Sequence, residues 1–107
     1  MQDHHALVLK GMDTAIERLN KAHAALTREA ASPDVATVQA VLTDLGTVRE
    51  FWCGVGPNID VAHSLRVICR SLEAVNHHHA RAAYGDLCEV EGIVQDNTVE
   101  GIPISRG

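Results

Sequence analysis

The chain has 107 residues, 46% of them apolar, and a formal net charge of −5 from nine Lys and Arg against fourteen Asp and Glu. That length makes one domain with one modest core, and the acidic balance argues against direct binding to a nucleic-acid backbone or an anionic membrane surface. No apolar run reaches the ~20 residues of a membrane-crossing helix, and Cys53, Cys69 and Cys88 are odd in number, widely spaced and preceded by no signal peptide, which reads as reduced thiols in a cytoplasmic protein.

Helix one is predicted from a cap at Asp3 to about Ala31. Leu9, Met12, Ile16, Leu19, His23, Leu26 and Ala30 recur at alternating steps of three and four, which places them on one helix face. Fourteen alanines and only three aromatic residues mean that neighbouring helices approach closely. Ser32-Pro33-Asp34 ends this helix and starts the next, since serine caps well and proline is tolerated at the first helical position. Helix two carries Val35, Val38, Leu42, Leu45, Val48 and Trp52 and stops at Gly54, because Gly54-Val55-Gly56-Pro57 cannot continue it. Helix three starts from an Asn58 cap with a stripe of Val61, Leu65, Ile68, Leu72, Val75 and His79. It continues to about Val94 on a shifted stripe of Ala83, Leu87, Val90 and Val94. The shift is a stutter in the heptad rhythm, which predicts a bend or break between Asn76 and Gly85. Beyond it, Gly101, Pro103 and Gly107 interrupt a segment with no helical period. The expectation is an all-α domain over residues 1–94, an antiparallel bundle of three helices with a long, bent third helix, followed by a flexible C-terminal tail over 95–107.

Seven histidines suggest a metal site, but the ligand spacing does not supply one. There is no Cys-x-x-Cys and no His-x-x-x-His, and Glu73 and His77 are four apart with no second such pair. The expectation is no metal and no cofactor. Catalysis is not expected either. Cys53 closes a helix whose dipole disfavours a thiolate, Cys69 and Cys88 border apolar stripes as small core residues, and the Gly54-x-Gly56-Pro57 turn lacks the Lys and Ser/Thr of a phosphate loop. His23 and His79 each interrupt a stripe about twenty residues into a helix. With helices one and three parallel they are expected to meet across the core as a polar pair, either as boundary residues with ordinary partners or as a layer that titrates near neutrality.

The surface is more suggestive. Arg66, Arg70, His77 and Arg81 fall near one face of helix three, and Phe51-Trp52 either plugs the end of the bundle or anchors an interface. Arg66, Arg70, Arg81, Phe51 and Trp52 are thus the expected partner-binding residues. A third helix of about thirty-five residues spans ~50 Å, more than the other two can cover. Leu87, Val90, Ile93 and Val94 are therefore expected to pair with a second copy in a homodimer.

An apolar periodicity without site chemistry points to a non-enzymatic regulator that binds another protein. A helical chain of about this length, with a Cys53-Gly54-x-Gly56-Pro57 break before a long last helix and a short tail containing Ile102-Pro103, resembles the small helical anti-activators that bind quorum-sensing transcription regulators. The resemblance implies a cytoplasmic dimer that occupies or dismantles a transcription regulator so that it no longer binds DNA. It assigns no individual binding residue. Two further classes stand beside it. One is an acidic inhibitor of a nucleic-acid enzyme, of the kind mobile elements encode, with Asp86, Glu89, Glu91, Asp96 and Glu100 as a phosphate mimic; strong salt dependence would mark it. The other is a metal or pH sensor built on the histidines.

Overall fold

The apolar stripes fold into four helices, not three. The computed structural model describes residues 4–28, 33–54 and 60–98, and among them the chain is all-α: α1 (His4–Arg28), α2 (Asp34–Trp52), α3 (Val61–Glu73) and α4 (His78–Thr98). α1 packs against α2 and α4, and α3 packs against the same two. The helices therefore run up and down alternately around one core, in the arrangement of an antiparallel four-helix bundle.

The third helix breaks because its apolar pattern changes phase. Val61, Leu65, Ile68, Leu72 and Val75 are buried, and so are Ala80, Ala83, Leu87, Val90 and Val94. In a continuous helix the single step from Val75 to Ala80 is about 140°, and the second set as a whole would be centred about 60° round from the first. α3 instead ends at Ala74, where the Val75 amide donates to the Leu72 carbonyl at 3.0 Å and the Val75 side chain stays in the core. His77 then caps α4, its Nδ1 accepting from the His79 amide at 3.2 Å, while Arg81 donates to the Asn76 side-chain oxygen at 3.1 Å. Folding back lets the chain cover both stripes itself.

The other boundaries have local causes. Pro33 occupies the N-cap position of α2, with φ −65° and no side-chain cap. Ser32 and Asp3, the expected caps, lie outside the described residues, as does Asn58. The cap of α3 is Asp60, whose carboxylate accepts from the His63 amide at 3.0 Å. α2 ends as its sequence predicts: Cys53 and Gly54 close the last turn, and Gly54 has a φ of +89°, which a glycine adopts without strain. α4 continues through Gln95 to Thr98, and the tail residues 99–107 lie outside the described residues.

The core-facing side of α1 is rotated from the expected one. Val8, Met12, Ala15, Leu19, Ala22 and Leu26 are buried, whereas Leu9, Ile16 and His23 are only half-buried. In α2, likewise, Val41 takes the core position expected of Leu42. The small residues Ala15 and Ala22 of α1 and Ala80 and Ala83 of α4 let these two helices lie close together. An Arg18–Asp86 ion pair at 2.9 Å ties the two helices at the surface.

Candidate protein-binding face

The Asp60 cap fixes the start of α3 and thereby its rotation. With Val61, Leu65, Ile68 and Leu72 turned inward, Arg66, Val67 and Arg70 are left exposed on the outer side. Val67 is 46% exposed, the only large hydrophobic residue in that state among the described residues. It borders a shallow groove of about 220 Å³ between α2 and α3, whose walls include Asp44, Thr47, His63 and Ser64. Arg66 donates from Nε to Glu91 Oε2 across to α4 at 3.3 Å, and Arg70 makes no ion pair among the described residues. The Arg66 side chain is 51% exposed and that of Glu91 18%, so the guanidinium remains open to a second carboxylate. The arrangement is an apolar contact on a groove, with two cations on the side of the helix away from α2.

The remaining expected partner residues are dispersed. Arg81 is exposed but belongs to the α3–α4 junction, bonded to Asn76. Phe51 is half-buried and Trp52 is 5% exposed. Trp52 is therefore the plug of the bundle end and not an open anchor. Its Nε1 donates to the His5 carbonyl at 2.9 Å, and His5 Nε2 donates back to the Trp52 carbonyl at 2.8 Å. The two rings stack with centroids 5.1 Å apart.

The apolar stretch expected to form a dimer is used within the chain. Leu87, Val90 and Val94 are buried and Ile93 is half-buried against the core. The reason is the break at Ala74, which replaces one overlong helix by two that the chain covers itself. The acidic run is also divided. Asp86 turns toward Arg18 on α1, Glu91 toward Arg66 on α3, and Glu89 is exposed on the outer side of α4.

The break also changes the setting of the expected histidine pair. His79 lies in the first turn of α4, which runs antiparallel to α1, and His23 and His79 are both half-buried at the edge of the core. Among the described residues the core holds no polar side chain. The rings around His79 are those of His77 and His78, with centroids 5.5 and 4.1 Å away. The His79 pKa is held below its ordinary value by desolvation, then by the charges of His78, His77, Lys21 and Arg18. Cys69 is buried as expected, but Cys88 is exposed.

Sequence reasoning passes over Val67 because it lies off the apolar stripe of its helix. That position is itself the signal, since a valine about 120° round the helix from the stripe lies outside the buried face. Among the described residues, no three His, Cys, Asp or Glu side chains are grouped to hold a metal ion, and no helix is long and apolar enough to cross a membrane. Comparisons with protein-family models, with curated proteins and with solved structures find no match.

Proposed function

We propose that this protein is a non-enzymatic regulator that binds another protein through the outer face of α3, as an anti-activator that sequesters a transcription regulator. The observation that carries the reading is the exposed Val67 at the α2–α3 groove, with the exposed Arg66 and Arg70 beside it on the same helix. An aliphatic side chain with neighbouring guanidinium groups suits a partner surface that offers an apolar contact bordered by carboxylates, and arginines are frequent energetic centres of such interfaces. The helical chain, the Cys53-Gly54-x-Gly56-Pro57 break and the Ile102-Pro103 tail supply the regulator class through their resemblance to quorum-sensing anti-activators, although the long last helix of that resemblance is two helices in the fold.

The test compares affinity capture from the native organism by the parent chain and by an Arg66→Glu, Arg70→Glu variant, with quantitative mass spectrometry. The expected result is a transcription regulator retained by the parent and lost from the variant, with helicity unchanged in circular dichroism. Capture that survives this reversal but is lost when Asp86, Glu89 and Glu91 are neutralised would replace the reading with that of an acidic inhibitor.

A further inference from the structure

Two cross-helix contacts set the register of α3 against α4. Arg66 meets Glu91, and Glu73 accepts a hydrogen bond from the Tyr84 hydroxyl at 3.3 Å. Between these two contacts, three residues on from Arg66 and three back from Glu91, lie Cys69 and Cys88. Helical neighbours three apart share a face, so the two thiols lie opposite one another at the α3–α4 seam. Cys69 is 5% exposed, whereas Cys88 is open to solvent.

We infer that Cys69 and Cys88 are a dithiol modification site, oxidised by a hydroperoxide to an intramolecular disulfide that ties α3 to α4. The exposed Cys88 reacts first. Its sulfur attacks the terminal peroxide oxygen, the O–O bond breaks, and the departing oxygen takes up the proton lost by the thiol, leaving Cys88 as a sulfenic acid. Cys69 then attacks the Cys88 sulfur. The S–O bond breaks, the hydroxide leaves as water with the Cys69 proton, and the S–S bond forms. The two thiols supply the two electrons that reduce one hydroperoxide to an alcohol, or to water when the oxidant is hydrogen peroxide, with a further water from the second step.

The surroundings support the order of attack. Burial, followed by the charge and hydrogen bonding of Cys88, pushes the Cys69 thiol up to about 12 and keeps it protonated and unreactive toward solvent oxidant. The Tyr84 hydroxyl is also pushed up to about 12, chiefly by hydrogen bonding to Cys88 and by its charge. The bond would close the loop that contains the α3–α4 junction and hold together the two helices that carry Arg66 and Glu91.

The experiment treats a Cys53→Ser form of the full chain with hydrogen peroxide, traps free thiols by alkylation under denaturing conditions, and maps the peptides by mass spectrometry without reduction. The expected result is a Cys69–Cys88 linked peptide from monomeric protein, reversed by dithiothreitol, and a melting temperature raised by on the order of 10 °C. In a Cys88→Ala control Cys69 should remain reduced, because the buried thiol does not meet the oxidant. Accumulation of Cys88 sulfinic acid with Cys69 still alkylated in the Cys53→Ser form would overturn the proposal, as would cross-linking between chains in place of within one.

Discussion

Gly11 of α1 faces Val90 of α4 so closely that a β-carbon at position 11 would lie well inside the envelope of the Val90 Cγ2 methyl. Val90 is 2% exposed and β-branched, so in a helix it has one strongly favoured rotamer and little room to leave it. Glycine ordinarily weakens a helix interior by ~0.5–1 kcal/mol relative to alanine; here it allows the contact between α1 and α4.

The first prediction follows from that contact. Gly11→Ala should destabilise the fold by ~1–3 kcal/mol through overpacking, whereas Gly85→Ala, where an added β-carbon meets nothing within 4 Å, should stabilise it by up to ~1 kcal/mol. In a Val90→Ala background the Gly11→Ala change should become neutral or stabilising. Urea denaturation of the four proteins of this cycle, with Gly85→Ala as a separate control, measures the coupling. Independent, additive effects at positions 11 and 90 would contradict the close approach.

Trp52 and His5 lock the end of the bundle by reciprocal side-chain to backbone hydrogen bonds and by ring stacking. Trp52→Ala should cost ~3–5 kcal/mol, as expected for loss of a buried aromatic ring. Trp52→Phe should cost less, since it preserves most of the packing and loses the indole donor. Because Trp52 is the only tryptophan, the unfolding of both variants is followed by circular dichroism. A Trp52→Ala protein as stable as the parent would return Trp52 to the role of an exposed anchor.

His79 confers an acid-sensitive contribution. Its folded pKa lies below the unfolded value of 6.5, for reasons of desolvation and of the neighbouring His78, His77, Lys21 and Arg18. The unfolded chain therefore binds the proton more readily. The stability associated with neutral His79 is fully present above pH 6.5 and is lost as pH falls below 6.5 through the folded pKa. His79→Leu should show a shallower loss of melting temperature between pH 7 and pH 5 than the parent. Identical acid profiles would rule out His79 as the source.

Asp60 determines where α3 begins, and with it the outward placement of Arg66, Val67 and Arg70. Asp60→Ala should cost ~1 kcal/mol, and Asp60→Asn or Asp60→Ser should restore most of it. Arg70→Glu should change stability by less than ~1 kcal/mol, because its side chain is exposed, whereas Arg66→Glu also sets a carboxylate against the half-buried Glu91 and should cost more. Thermal denaturation separates the two outcomes. A large loss in the Arg70→Glu variant would mean that the face serves the fold.

Much of the helical layout is legible in the sequence because it depends on local causes. The end of α2 follows from the glycine at position 54, the boundary near Pro33 from proline's fixed φ, and the stripe from Val61 to Val75 from a clean period of three and four. The change of phase after Val75 marks the place where the helix breaks. The periodicity itself does not say whether a chain bends there or turns back. That was decided by tertiary packing, since only a reversal buries Ala80, Ala83, Leu87, Val90 and Val94 inside the same molecule.

The rotation of α1 was decided in the same way. Leu9, Ile16 and His23 and their neighbours Val8, Ala15 and Ala22 define adjacent faces of one helix, and hydropathy favours the larger residues of the first set. Packing favours the second set where α1 meets α4, because Ala15 and Ala22 allow close approach to a helix that brings Ala80, Ala83 and Val90. The apposition of Cys69 with Cys88 and the exposure of Val67 follow from the same packing. The sequence by itself determined which segments are helical and which residues are apolar, because turn chemistry and hydrophobic period act over a few residues. Only the tertiary structure decided which faces meet, because that depends on the size and shape of side chains distant along the chain.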